Sequence, residues 1–165
     1  MCELVNMGSR GSFLDSFQKR ARVRYVQETE TLTTAQRIRA AGLRVTTPRV
    51  AVLDALHAVP HADVDHLLTA VRATTDVSTQ AVYDVLGAFT RVGLVRRIEL
   101  PGSSARFETR VGDNHHHLVC RGCSAIVDIE CATGSAPCLD PVEDYRFVID
   151  EAEVTYWGLC PNCTN

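Results

Sequence analysis

The sequence predicts an α+β fold in two parts. Four short helices and a β-hairpin come first, and a strand-rich segment carrying two Cys-x-x-Cys pairs follows. The chain has 165 residues, with 45% hydrophobic and 22% charged, which is the balance of an ordinary folded domain and not of a disordered one. No run approaches the ~18 apolar residues of a membrane helix. No apolar stretch near the start resembles the core of a secretory signal, so a cytoplasmic location is expected. Seven cysteines in such a setting point to metal or redox chemistry before a disulfide framework.

Residues 1–30 read as an extension, without periodicity and ending in a basic run of Lys19, Arg20, Arg22 and Arg24. Met7 is an alternative start within it. Regular structure is expected from residue 31. Thr33 or Thr34 caps a helix that runs to about Ala41, with Gly42 just past its end. Thr46 and Thr47 precede Pro48, the pattern of a cap followed by proline in the first turn, and this helix turns Val50, Leu53 and Leu56 inward. Asp63 caps a third helix with Val64, Leu67, Leu68 and Val71 on one face. Ser78 caps a fourth, with Val82, Val85, Leu86, Phe89 and Val92 apolar and Gly93 as its stop. Residues 94–100 and 106–111 then read as two strands around the turn 101–105.

Helices followed by a hairpin form the order of a winged helix-turn-helix, which lays its last helix in the DNA major groove. A small α+β domain without a DNA partner fits the same pattern. This first domain is expected to span residues 31–110. Residues 111–114 read as a linker, and residues 115–165 as a second domain with strands at 115–120, 125–130, 147–150 and 152–158. The Gly-, Pro- and Ser-rich interval 131–145 reads as loop.

Cys120-Arg-Gly-Cys123 and Cys160-Pro-Asn-Cys163 supply four thiolates, the set that structural zinc prefers. A redox disulfide pair is the alternative. Cys131 and Cys138 fit no tetrad; they are small fillers, a reversible disulfide or an accessory ligand. Just before the first pair stands His115-His116-His117. On a strand, His115 and His117 share a face while His116 points away. Glu108 lies on the preceding strand, Asp128 faces the same region by alternation, and His61 stands before the third helix. Imidazoles with carboxylates suit Fe(II), Mn(II) or Zn(II). Ligands drawn from both domains would couple the metal to domain orientation.

The stretches GLRVTTPRVAVLDAL (42–56), HADVDHLL (61–68), STQAVYDVL (78–86), RFE (106–108), HHHLVCRGC (115–123) and WGLCPNC (157–163) resemble the ferric uptake regulator family. The resemblance covers roughly residues 32–163. It implies an N-terminal winged helix, a C-terminal α/β dimerisation domain and a homodimer that binds double-stranded operator DNA when a regulatory metal is loaded. It places Cys120, Cys123, Cys160 and Cys163 on structural zinc, and His61, Glu108, His115, His117 and Asp128 on the interdomain regulatory site. Asp128, five residues after the first pair, resembles the peroxide-sensing branch, in which bound iron leads to oxidation of a ligand histidine; the iron-sensing branch usually has glutamate there. VSTQAVYDVL, VGDNHHH and DEAEVTYWGLCP are similar to actinobacterial members that repress a catalase-peroxidase.

The expected function is a metal-dependent transcriptional repressor of oxidative-stress genes. The alternatives are a sensor of iron or zinc supply and, from another class, a small zinc metalloenzyme. No HExxH, nucleophile elbow or phosphate loop supports the last. Arg44, Arg49, Arg96 and Arg97 are expected to touch phosphates, and Ser78, Gln80 and Tyr83 to lie on the DNA-facing helix. Three positions depart from the family's pattern. Asp84 stands where most members have arginine, Ala152 where an auxiliary metal site has histidine, and the long helix of the dimerisation domain is shortened across 131–145. The net charge of −3 divides as +1 over residues 1–30, +2 over 31–108 and −6 over 109–165. A mildly acidic total therefore conceals a basic half and is no argument against DNA.

Overall fold

The computed structural model describes residues 32–131, 141–149 and 152–164. The extension 1–30 and Cys138 lie outside the described residues. Among the described residues four helices come first: α1 (Thr34–Ala40), α2 (Thr47–Ala58), α3 (Val64–Arg72) and α4 (Thr79–Arg91). Each begins where the capping chemistry places it. Thr33 and Gln36 form a reciprocal capping box on α1. Asp63 accepts from the His66 amide at the start of α3, and Ser78 accepts from the Ala81 amide at the start of α4. Thr46 is the N-cap of α2 without a side-chain hydrogen bond, and Pro48 sits in the first turn. Gly93 ends α4 at a φ of +67°, which lets the Leu94 amide reach back to the Phe89 carbonyl at 2.9 Å.

The helices enclose a core of Ile38, Val52, Leu53, Leu56, Leu67, Val71, Val82, Leu86 and Phe89. Strands β1 (Arg96–Ile98) and β2 (Arg106–Glu108) form the antiparallel hairpin beside it, with Arg96 opposite Glu108. Both strands are shorter than the sequence pattern suggests. Phe107 packs into the helical core, and its amide donates to the Ala62 carbonyl at 3.1 Å. This isolated bridge ties β2 to the segment just ahead of α3.

The second sheet has the order β4-β3-β5, with β3 (His115–Cys120) in the middle, β4 (Ile126–Glu130) antiparallel to it and β5 (Thr155–Gly158) parallel. A small second core of Ile98, Leu100 and Val119, with Ile126 and Trp157 against it, joins the hairpin to this sheet. The joint at 111–114 is therefore accompanied by direct packing between the two parts. The strand expected over 147–150 is not formed at residues 147–149. Tyr145 and Arg146 have positive φ, which breaks an extended run, and Phe147 and Val148 lie exposed with no sheet face to pack on. Among the described residues, no helix is long and apolar enough to cross a membrane.

Phe89 is completely buried in the helical core. Phe89→Ala is expected to destabilise the helical part by about 3–5 kcal/mol, read by denaturant unfolding, while leaving the metal content of the second sheet unchanged.

Candidate metal centres

Two ligand clusters stand out among the described residues: Cys120, Cys123, Cys160 and Cys163, and His61, Glu108, His117 and Asp128. Within each, one donor atom per residue lies within 4.8 Å of all the others.

The cysteine cluster follows from the parallel pairing. Because β3 and β5 run the same way, with Cys120 level with Gly158, both strands end at one edge of the sheet and both Cys-x-x-Cys turns leave from it. The Arg121 amide donates to the Gly158 carbonyl at 2.8 Å and holds the two turns together. The first turn is tightly packed at its glycine: a Cβ on Gly122 would lie 3.0 Å from both Cβ and Sγ of Cys163, so Cys163 would have to shift to admit one. The Cys120 sulfur accepts the amides of Cys160 at 3.3 Å and Gly122 at 3.4 Å. These amides, led by that of Cys160, bring its pKa down to about 6. The other thiols, led by Cys160, push Cys163 up to about 12. Four thiols this close cannot all ionise without a cation. Zinc at about 2.3 Å from each of four sulfurs gives sulfur–sulfur edges of about 3.8 Å. The Cys123 and Cys160 sulfurs are 3.7 Å apart. The donor set fits zinc in both charge and size. Cys131 follows β4 directly and is half-buried.

The second cluster sits where the helical part, the hairpin and the sheet meet. Glu108 is 1% exposed, and the Nε2 atoms of His61, His115 and His117 lie 3.1, 3.3 and 3.2 Å from its Oε2. Asp128 is level with His117 across the β3–β4 pair, and its Oδ1 is 2.8 Å from His61 Nε2 and 3.6 Å from His117 Nε2. His115 belongs to the same knot but stands at its margin, 3.9 Å from Asp128 Oδ1. The alternation along β3 holds as expected. The rings of His115 and His117 meet edge-on at 5.0 Å, while His116 turns to Tyr156 on the other face.

His61 reaches this knot from outside the sheet. Its φ of +58° lies in the left-handed region, a costly conformation for histidine that the adjoining Ala62–Phe107 bridge holds in place. Burial disfavours the charge on Glu108, but hydrogen bonds from His115, His117 and His61 outweigh it and hold its carboxyl far below the ordinary range. Burial likewise opposes charge on His61 and His115, and the carboxylates around them overcome it, raising both. Glu108 Oε1 and Asp128 Oδ1 are buried without a well-aligned hydrogen bond. Imidazoles and carboxylates with incompletely satisfied oxygens turned into one small space are a donor set that a divalent cation fits.

Three surrounding residues are not expected here from the sequence. Asp113, inside the expected linker, accepts from His115 Nδ1 at 2.8 Å and sets that ring's orientation. An acid two positions before a histidine on an extended strand is the signal that points to it. Arg110 holds Asp113 at 2.5 Å and Glu130 at 2.7 Å, and reaches Asp128 at 3.8 Å. Arg96 turns inward from the hairpin, 3.9 Å from Glu108 Oε1 and 3.4 Å from Glu153 Oε1.

The remaining residues expected at DNA are dispersed over the helical part and the hairpin. Arg44 is exposed, and its carbonyl accepts from Arg49 Nη1 at 2.7 Å. Ser78 uses its hydroxyl as the α4 cap. Gln80 and Tyr83 are exposed on α4, and Arg97 pairs with Glu99 at 3.0 Å. Tyr83 and Arg97 line one groove between α4 and the hairpin.

Stripping the thiol site with a strong chelator is expected to abolish the β3–β4–β5 sheet while the helices persist, read by circular dichroism of the metal-free chain. The second site gives opposite pH dependences with and without metal. His61 and His115 titrate above 6.5 in the folded chain, so their contribution to metal-free stability is fully present below that value and is lost as pH rises through the raised pKa. Metal must displace those same protons, so stabilisation by added Mn(II) grows as pH rises through that window. Melting curves against pH, with and without Mn(II), check both signs.

The sequence profile of the Ferric uptake regulator family matches residues 40–156. Transcriptional regulator FurA of Mycobacterium tuberculosis (strain H37Rv) is 60% identical over 131 residues, covering 79% of this chain and 89% of that protein. The peroxide-responsive repressor PerR of Staphylococcus epidermidis is 30% identical over 134 residues, covering 76% of this chain and 85% of that protein. Among solved structures, the ferric uptake regulator of Pseudomonas aeruginosa with manganese is 28% identical, with a TM-score of 0.63 over 79% of this chain and 99% of that one. With a winged-helix-like first part and a sheet that ends in four thiols, the chain belongs to the ferric uptake regulator family and is a metal-responsive transcriptional regulator, not an enzyme.

Proposed function

We propose that the protein is a dimeric repressor that binds operator DNA when its regulatory site is loaded, and that it responds to peroxide. Residues 31–110 are the DNA-binding unit, residues 115–165 the metal and dimerisation unit, and residues 111–114 the joint between them. Cys120, Cys123, Cys160 and Cys163 hold zinc for structural purposes. His61, Glu108, His117 and Asp128 hold the regulatory ion, with His115 beside them. Among the described residues, Zn(II), Fe(II) and Mn(II) all suit this nitrogen and oxygen set, and iron or manganese is the proposed resident.

The observation that carries the reading is the origin of the four ligands. His61 and Glu108 come from the helical part and the hairpin, whereas His117 and Asp128 come from the second sheet. Binding there favours one relative placement of the two parts, and in a dimer that placement sets the spacing of the two α4 helices for successive major grooves. The peroxide reading is supported by Asp128 in the ligand set and by the likeness to the Staphylococcus epidermidis repressor. His61, Glu108, His117 and Asp128 would hold ferrous iron, which would supply electrons to peroxide, and the imidazoles of this set would then be the oxidisable groups beside it. His61 is the most exposed to this fate by geometry, since its side chain is 11% accessible while His115 and His117 are sealed.

The test is a mobility shift on operator DNA with chelator, with Mn(II), and with Fe(II) before and after peroxide, followed by mass spectrometry. The expected result is metal-dependent binding, then loss of binding with one added oxygen on His61 or His115 in the iron sample only. Metal-dependent binding that survives peroxide without modification identifies a sensor of metal supply instead. A second measurement separates the arginines. Arg97→Ala is expected to lower the slope of log affinity against log salt by about 0.9 for each phosphate that the guanidinium neutralises. Arg96→Ala leaves that slope unchanged, because the guanidinium faces Glu108 and Glu153.

A further inference from the structure

Helix α4 buries Val82, Val85, Leu86 and Phe89 and leaves Gln80, Tyr83 and Asp84 exposed. On a helix that faces DNA, an acid needs a reason. Its carboxylate is repelled by phosphates and by every acceptor on the base edges: guanine O6 and N7, thymine O4, adenine N7. It gains only from an exocyclic amine, and cytosine N4 is the amine that has no ring acceptor beside it in the major groove.

The partner of Asp84 across one helical turn is an amide: Gln80 Nε2 donates to Asp84 Oδ1 at 2.9 Å. This bond fixes the carboxamide, which would otherwise present oxygen or nitrogen equally well. One N–H of Gln80 and its carbonyl oxygen stay available to a base, and so do the remaining lone pairs of the carboxylate. The pair therefore offers two distinct readers. The carboxylate is an acceptor alone, and the carboxamide is a donor and acceptor together, the combination that complements adenine N7 and N6.

We propose that Asp84 is a specificity-determining residue of the DNA interface, selecting a cytosine through its N4 amine and holding Gln80 in the orientation that reads the neighbouring base. The inference rests on the reading of α4 as the DNA-facing helix. It makes Asp84 a residue of sequence choice rather than of affinity, since removing an acid from a surface that meets phosphates relieves repulsion.

The experiment is selection and sequencing of binders from a randomised duplex library, using the full chain loaded with zinc and Mn(II), as wild type, Asp84→Ala and Gln80→Ala. Wild type is expected to enrich cytosine at one position of each half-site. Asp84→Ala loses that preference by about ten-fold and blurs the adjacent position, while its affinity for bulk DNA is equal or higher. Gln80→Ala blurs the adjacent position and keeps the cytosine. Thermal melting of the three proteins controls for folding; both side chains are exposed, so equal stability is expected. An unchanged motif in Asp84→Ala, or a uniform loss of affinity across all sequences, overturns the proposal while leaving DNA binding intact. A wild-type chain that enriches no motif overturns the DNA-facing reading of α4 and this proposal together.

Discussion

The organisation of this protein turns on the burial of one carboxylate. Glu108 is sealed at the meeting point of the hairpin, the helices and the second sheet. Burying a lone charge there would cost several kcal/mol, so the surrounding structure has to answer it. Three imidazoles converge on a single oxygen of that carboxylate, and Arg96 approaches the other. The answering groups come from places far apart in the chain: the loop before α3, strand β1 and strand β3. Satisfying Glu108 thus fixes how these elements lie together. The apolar packing of Ile98 and Leu100 with Val119 supports the same arrangement without any charge. A divalent ion would replace protons on those imidazoles and use a geometry already assembled.

The thiol site answers a different problem. Among the described residues its sheet has three strands, and β5 is a short edge strand whose side chains are half-buried or, at Tyr156, exposed. Such a sheet has little apolar area to set against chain entropy. Four sulfurs gathered at the open end supply what the core lacks. The opposed shifts of Cys120 and Cys163 express the same fact: the first thiol is ready to ionise, and the second is held back from following it until a cation arrives. One site holds the second half together, and the other relates it to the first.

Helix positions are legible in the sequence because each helix carries its own start and stop. Thr33, Asp63, Ser78 and Gly93 act within four residues of where they stand, so local pattern finds them. The four cysteines are legible for the same reason, since each pair is a local turn. The place of His61 depends on a bridge between Ala62 and Phe107, a long-range pairing with no local signature; the sequence marks His61 as a candidate nitrogen ahead of the third helix, and the resemblance to a family points to the same site. Arg96 is expected at phosphates because an arginine on a hairpin carries no mark of direction. The register opposite Glu108 decides that it turns inward. The strand expected at 147–150 is not formed at 147–149 because a short apolar run specifies a strand only where a partner edge and a face to cover are both present.

The parallel pairing of β3 with β5 also imposes an order of assembly. A ribosome delivers the helices and the hairpin first, and all the residues of their core are then in hand. The central strand β3 emerges next but waits for its parallel neighbour, which is made after β4 and the connecting stretch. Until then, its far edge is unpaired and only half of the thiol set exists. During synthesis, therefore, the helical core is complete before either ligand cluster, and the second sheet is completed only when the second cysteine pair arrives.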